Sequence, residues 1–244
     1  MPEGPSILIL REEVARFRGK TVRSVSGNSK LAIARMEGRR ILSVRSWGKH
    51  FLLEFSGFSL RIHLMMFGSY RIDEQKAGAT PRLSLRFDTG EVNFYTCSLK
   101  YIEDPLDEAY DWSGDVLSDS WSPRKARAKL KGAPDMLVCD ALLDQNIFAG
   151  VGNIIKNEVL YRIRVQPSSR VGCLPPRKLG ELIKEARQYS FDFLEWKRAF
   201  VLKKHWLVHT KRKCPSCGGT LTKAHLGATQ RRSFFCERCQ QLYV

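Results

Sequence analysis

Cys214-Pro-Ser-Cys217-Gly-Gly-Thr-Leu-Thr-Lys-Ala-His-Leu-Gly-Ala-Thr-Gln-Arg-Arg-Ser-Phe-Phe-Cys236-Glu-Arg-Cys239 holds two C-x-x-C pairs with eighteen residues between the inner cysteines. Each pair offers two sulfurs from one tight turn, and the intervening stretch is long enough for a hairpin that brings the pairs together. This spacing predicts a β-hairpin finger closed by a tetrathiolate Zn2+ site on Cys214, Cys217, Cys236 and Cys239. A site with four protein ligands has no open position for substrate, so its role is structural and any chemistry lies elsewhere. The other cysteines, Cys97, Cys139 and Cys173, are isolated and odd in number, which suits free thiols in a reducing compartment rather than a disulfide framework.

Charge bounds the partner. The chain has 244 residues, with 41 Lys plus Arg against 25 Asp plus Glu, a net charge of +16 and a pI near 9.8. Such a balance attracts polyanions, and nucleic acid is the leading candidate. A membrane surface is the competing polyanion. No N-terminal signal is evident, no apolar run approaches the roughly 18 residues a span needs, and the charge is dispersed. The expected setting is cytoplasmic, with no membrane association.

Upstream of the finger the hydrophobic periodicity changes twice. Ile7, Leu10, Val14 and Phe17 recur at helical steps until Gly19, after a short unstructured lead, Met1-Pro-Glu-Gly-Pro5. From about Thr21 to Glu103 the period is two, as in Leu83, Leu85 and Phe87, then Val92 and Phe94 across an Asp88-Thr-Gly90 turn. Many short strands of this kind suit an antiparallel two-layer sandwich. Asp104 to Ser122 is acidic and turn-rich and reads as a connection. From Pro123 to about Lys204 helical periodicity returns in four segments. The expected architecture is an α+β multidomain chain, with a sandwich at 1–120 carrying an N-terminal helix, a helical domain at 121–213 and the finger at 214–244.

Within the helical domain, Asp144-Gln-Asn-Ile-Phe-Ala-Gly150-Val-Gly152-Asn153-Ile-Ile-Lys156 breaks one helix with two glycines before another begins. The glycines supply positive φ, and Asn153 falls where an N-cap would be, so the turn can present backbone N–H groups to a phosphate. An ordinary helical hairpin capped by Asn has the same residues.

Met1-Pro2-Glu3-Gly4-Pro5, the Gly-x-Gly-Asn turn, and Gln230-Arg231-Arg232-Ser233-Phe234-Phe235-Cys236 in a four-cysteine finger occur together and in order. In this the chain resembles the formamidopyrimidine-DNA glycosylase and endonuclease VIII family of base-excision repair enzymes, over essentially its whole length. The resemblance implies a helix-two-turns-helix domain, and a bifunctional DNA glycosylase and AP lyase. With Met1 removed, Pro2 would be the nucleophile and Glu3 the acid, while Lys49 would set a cation by the phosphate and damaged base. An α-amino group titrates near roughly 8, so a neutral fraction is present at physiological pH. Asn153 and Arg231, the latter with Arg232 directly after it, would hold the phosphates flanking the lesion. In His63-Leu-Met-Met66-Phe67-Gly-Ser69, Met66 and Phe67 would wedge into the stack vacated by the flipped nucleotide. The competing reading of the stretch is a core strand, although three large apolar residues in succession cannot all face one side of a strand, so at least one lies on the other face or in a loop.

Two departures bear on substrate. Phe94-Tyr-Thr-Cys-Ser-Leu-Lys-Tyr101 stands where the formamidopyrimidine branch has an Asp-Pro-Arg-Arg-Phe-Gly segment, and Arg187 to Lys213 is glycine-free where that branch has a glycine-rich lid. Both resemble endonuclease VIII, and oxidised pyrimidines are therefore favoured over 8-oxoguanine. The implied partner is double-stranded DNA with oxidised bases or abasic sites, bound by a monomer. The competing readings are a formamidopyrimidine or 8-oxoguanine glycosylase, and a non-catalytic protein that binds damaged DNA. Pro2 and Glu3 set the enzyme apart from the binding protein.

Overall fold

The computed structural model describes residues 2–244. The chain divides into two compact units, Met1–Asp111 and Trp112–Val244.

The first unit starts with helix α1 (Gly4–Val14), continued by a 3-10 turn over Ala15–Phe17. Ile7, Leu10, Val14 and Phe17 are all fully buried, as their spacing requires. The lead is shorter than the sequence suggested. Helix begins at Gly4 with Pro5 in its first turn, where a missing N–H costs nothing, and Glu3 is the N-cap. Strands β1 (Ser24–Ser26), β2 (Ser43–Trp47), β3 (His50–Phe55), β4 (Phe58–His63), β5 (Ser69–Ile72), β6 (Leu83–Phe87), β7 (Gly90–Tyr95) and β8 (Ser98–Ile102) follow. They form two four-stranded antiparallel sheets, ordered β1-β6-β7-β5 and β2-β3-β4-β8. The core includes Phe51, Leu53, Leu60, Ile62, Leu83, Leu85, Val92 and Phe94. Fully burying each such side chain contributes about 1.5–3 kcal/mol.

The acidic stretch after β8 is packed rather than loose. It forms a short helix α2 (Leu106–Ala109), Asp107 pairs with Arg45 at 2.6 Å, and the Trp47 indole donates to the Asp111 carbonyl at 3.0 Å. These bonds hold residues up to Asp111 in the first unit. Beyond it, Ala149 N–H donates to Gly114 O and Val116 N–H to Ala149 O, tying that segment to the second unit. The division therefore falls between 111 and 112 rather than near 120.

The second unit contains α3 (Pro123–Lys131), α4 (Val138–Leu143), α5 (Asn153–Arg162), α6 (Pro176–Arg198), and a hairpin of β9 (Thr222–Leu226) and β10 (Arg231–Phe235). α6 buries Leu179, Leu182, Ile183, Ala186, Tyr189 and Phe193, one stripe at three- and four-residue steps. α5 breaks the one-sided pattern expected of it. All of Ile154 to Tyr161 is buried, including Lys156, Asn157 and Glu158. The finger is docked on this helix with its own small core of Tyr161, Val208, Cys214, Leu221, Phe234 and Cys236.

Candidate functional site

In the first unit, Pro2 is half-buried and Glu3 fully buried at the start of α1, where Glu3 O accepts the Ser6 N–H at 2.8 Å. Lys49 sits with Gly48 in the two-residue turn joining β2 to β3, and Gly48 adopts φ +52, a value glycine reaches without side-chain strain. The register pairs Trp47 with His50, and His50 with His63 at the end of β4. The Lys49 turn and the 64–68 loop thus emerge at the same end of one sheet.

That loop settles the reading of Met66 and Phe67. They lie in a turn, 44% and 81% exposed, and not in a core strand. The turn is closed by Gly68 N–H donating to Leu64 O at 2.7 Å, and a Cβ on Gly68 would lie 2.0 Å from that oxygen, so only glycine fits. Met65, at φ +51, donates its N–H to His63 Nδ1 at 3.1 Å. His63 therefore anchors the loop that presents three exposed apolar side chains.

A ring cluster missed in the sequence borders Lys49. His50 Nδ1 lies 3.2 Å from the Tyr110 hydroxyl, with the Trp47 ring centroid 5.1 Å from Tyr110 and 5.6 Å from His50. Burial, reinforced by Arg61, His63 and Lys49, pushes His50 down to about 4, and burial pushes Tyr110 up to about 12. His50 is neutral at physiological pH.

In the second unit, Gly150 takes a positive φ of +99 whereas Gly152 is extended at φ −122. The N-cap of α5 is Gly152, so Asn153 is one residue into the helix. Its side chain crosses to the finger, where Nδ2 donates to Arg232 O at 3.0 Å. The same carbonyl accepts from Lys156 Nζ at 3.3 Å and Asn157 Nδ2 at 3.4 Å. Arg231 opens β10, paired with Leu226, and shares by the two-residue period the strand face of Ser233, which takes a 2.8 Å bond from Lys156. Asn153 and Arg231 are thus brought together, one on α5 and the other on the strand bonded to it.

Two carboxylates fix this arrangement. Glu158 is fully buried and accepts the backbone N–H groups of Leu207, Val208 and His209 at 2.7–2.9 Å. Burial pushes its carboxyl upward, against those three donors and Arg162, which pull it down. Asp140 on α4 accepts from Ala228 N–H, Thr229 N–H and the Thr229 hydroxyl at 2.9–3.2 Å, pinning the tip of the β9–β10 hairpin. Gly227 suits this tip, since it adopts φ +69, and a Cβ would push against the Asp140 carboxylate at 2.2 Å. Burial and Lys156 push His209 down to about 4.

The sulfurs of Cys214, Cys217, Cys236 and Cys239 all lie within 4.8 Å of one another, with Cys214 to Cys239 at 3.7 Å and Cys217 to Cys236 at 3.5 Å. A tetrahedron with metal–sulfur bonds of about 2.3 Å has edges of about 3.8 Å, so this donor set fits Zn2+. Tyr161 hydroxyl contacts Cys214 Sγ at 3.2 Å and Ser216 Oγ at 2.7 Å, linking the cluster to α5.

Comparison with known proteins agrees with this architecture. The formamidopyrimidine-DNA glycosylase N-terminal domain matches residues 1–100, and the formamidopyrimidine-DNA glycosylase H2TH domain matches residues 115–189. The chain is 32% identical to Endonuclease 8-like 3 of Mus musculus over 206 residues, covering 81% of this chain and 34% of that protein. It is 28% identical to the DNA-(apurinic or apyrimidinic site) lyase Nei2 of Mycolicibacterium smegmatis over 255 residues, covering 98% and 99% of the two chains. It spans about a third of the length of the Endonuclease 8-like 3 proteins it matches. Among solved structures, formamidopyrimidine-DNA glycosylase from Lactococcus lactis, bound to DNA containing an AP site, superposes with a TM-score of 0.85 at 21% identity, over 98% of this chain and 99% of that one. The chain belongs to the formamidopyrimidine-DNA glycosylase and endonuclease VIII family.

Two outcomes follow from the geometry. Asp140→Ala removes the acceptor for the hairpin tip, and hydrogen-exchange protection of the Ala228 and Thr229 amides is expected to fall about tenfold with the rest of the sheet unaffected. An unchanged pattern removes Asp140 from this role. The second concerns pH. Because His50 titrates near 4 when folded and near 6.5 when unfolded, the unfolded chain takes up its proton first on acidification. Stability should fall as pH drops from about 6.5 to about 4, and chemical denaturation of His50→Gln should show a shallower fall across that window.

Proposed function

We propose that the chain is a bifunctional DNA glycosylase and AP lyase of base-excision repair that removes oxidised bases, pyrimidines above all, from duplex DNA. The observation that carries this reading is the start of the first unit. Pro2 directly precedes a fully buried Glu3 at the N-cap of α1, which supports a reading in which removal of Met1 frees the Pro2 nitrogen as the nucleophile next to the Glu3 acid. The names of the relatives, an Endonuclease 8-like protein and an AP lyase, support the same reading.

With Met1 removed, the Pro2 nitrogen attacks C1' of the damaged nucleotide as the glycosidic bond breaks, and the base departs with a proton. Glu3 supplies the proton that opens the sugar ring at its oxygen. A secondary amine then leaves a charged iminium at C1', which acidifies the C2' proton. Loss of that proton expels the 3' phosphate by β-elimination, and a second elimination can release the 5' phosphate. Lys49 balances phosphate charge beside the reacting sugar. Asn153 and Arg231 hold the flanking phosphates, and Met66 with Phe67 fills the gap left by the flipped nucleotide, offsetting an unstacking cost of a few kcal/mol. Zn2+, held by Cys214, Cys217, Cys236 and Cys239, supplies the cross-link that keeps the hairpin folded.

Borohydride trapping of the untagged protein with duplexes containing thymine glycol, 8-oxoguanine or an abasic site tests the reading. The expected result is a covalent adduct at Pro2 with thymine glycol and with the abasic site, lost when an N-terminal tag blocks that nitrogen. Adducts confined to 8-oxoguanine would move the chain to the purine branch, and no adduct even with the abasic site would make it a binding protein. Removal of zinc, or Cys236→Ser, should weaken duplex binding by about tenfold or more as the hairpin that carries Arg231 unfolds. Undiminished affinity after verified zinc loss would count against the finger's part in binding.

A further inference from the structure

A groove of about 730 Å³ runs between α3 and α6 in the second unit, and it shares no residue with α5, the hairpin or the cysteine cluster. Its rims carry Arg124 and Arg127 on α3 and Lys184 and Arg187 on α6. In each helix the two cations are three residues apart, one turn, so both rows run along the groove. None of the four forms an ion pair among the described residues. The acids of α6 closest to Lys184 and Arg187 have other partners, Glu181 with Arg177 and Lys178, Glu185 with Arg162, and Asp192 with Gln188. Four cations without an ion pair around one concavity repel each other, an arrangement that an anionic occupant relieves.

The floor is apolar. Trp121 and Ile183 lie beneath it, 9% and 4% exposed, and Phe191 closes one end under the Arg187 guanidinium, 5.3 Å from its ring centroid. Gly180 deepens the middle, since a side chain there would project toward Arg127, whose Nη2 lies 3.2 Å from where a Cβ would stand. Charge on the rims and hydrocarbon on the floor distinguish this groove from a nucleic-acid surface. Single strands need exposed rings on which bases stack, whereas Trp121 is buried and Phe191 is covered by a cation. A duplex backbone is convex and wets an apolar floor without filling it. The complementary shape and charge belong to an amphipathic segment, acidic on its flanks and apolar at its centre.

We propose that this groove docks an acidic peptide segment of a partner protein, with one or two large apolar side chains seated over Gly180 and Ile183 and carboxylates paired with Arg124, Arg127, Lys184 and Arg187. The contact is independent of the DNA reading, because it uses none of the residues assigned to DNA.

Fluorescence anisotropy of the full chain tests it with a labelled peptide of about twelve residues, Asp and Glu pairs on either side of a central Leu-Phe, at about 150 mM salt to suppress non-specific attraction. Saturable binding is expected, at least about tenfold weaker for Arg124→Glu with Lys184→Glu, and also for Gly180→Leu, which keeps every charge and fills the floor. Leucine is the better helix former, so the second variant leaves α6 intact. Both variants should bind an abasic duplex as the parent does. Absence of peptide binding, or equal binding of an oligoglutamate of the same length, would overturn the proposal. So would loss of duplex affinity in the charge-reversed variant, which would make the groove a nucleic-acid contact.

Discussion

Lys156, Asn157 and Glu158 are consecutive, polar and at most 1% exposed, and the second unit is organised around satisfying them. An unpaired buried donor or acceptor costs about 1–3 kcal/mol, and more when it is charged. Their partners come from sequence far away: Ser233 hydroxyl and Arg232 carbonyl for Lys156, Phe234 N–H for Asn157, and three successive N–H groups of residues 207–209 for Glu158. The helix therefore cannot be buried without the finger. Conversely, the hairpin gains its position from the helix. Arg232 O, accepting from Asn153, Lys156 and Asn157, is the point where both meet, and it fixes Arg231 one residue away. The four sulfurs hold the base of the hairpin and Asp140 holds its tip, so the strand between them has little freedom.

The first unit solves a different problem. The sandwich presents a cation and apolar side chains at its edge, and it does so at turns, where side chains need not alternate between faces. Lys49 occupies one turn and Met66 and Phe67 another, and the His50–His63 pairing aligns the two. Three exposed apolar residues in a row are a cost to a soluble surface. They are held there by a glycine with no room for a Cβ and by a histidine nitrogen, which indicates that the exposure is built rather than incidental.

How much of this could be read in the sequence depended on how local the signal was. Period-two runs such as Leu83 to Phe87 and the stripe Ile7 to Phe17 reflect burial on one face, and the cysteine spacing reflects one ion's geometry; each is a short-range pattern. The order β1-β6-β7-β5 was not legible, because neighbouring strands that are distant in sequence leave no periodic trace. The same limit hid Asp140 and Glu158, whose meaning lies in donors roughly 50 to 90 residues away. The sequence marks Asn153, but as an N-cap. Only Gly150 needed the left-handed conformation, so the helix started one residue earlier and released the Asn153 amide to bridge to Arg232.

Protonation ties these local solutions to the chain's excess positive charge. His50 and His63 stand near Lys49 and Arg61, and His209 near Lys156; burial together with those cations drives all three below the ordinary histidine value. A neutral imidazole has one acceptor nitrogen, and an imidazolium has none. His63 Nδ1 is the acceptor for Met65 N–H, so protonation would set a donor against a donor at the root of the apolar loop. Burial first, then Lys49 and Arg61, disfavour that state. The excess positive charge of the chain thus adds to burial in favouring the neutral imidazole, whose Nδ1 accepts the Met65 N–H at the root of the apolar turn.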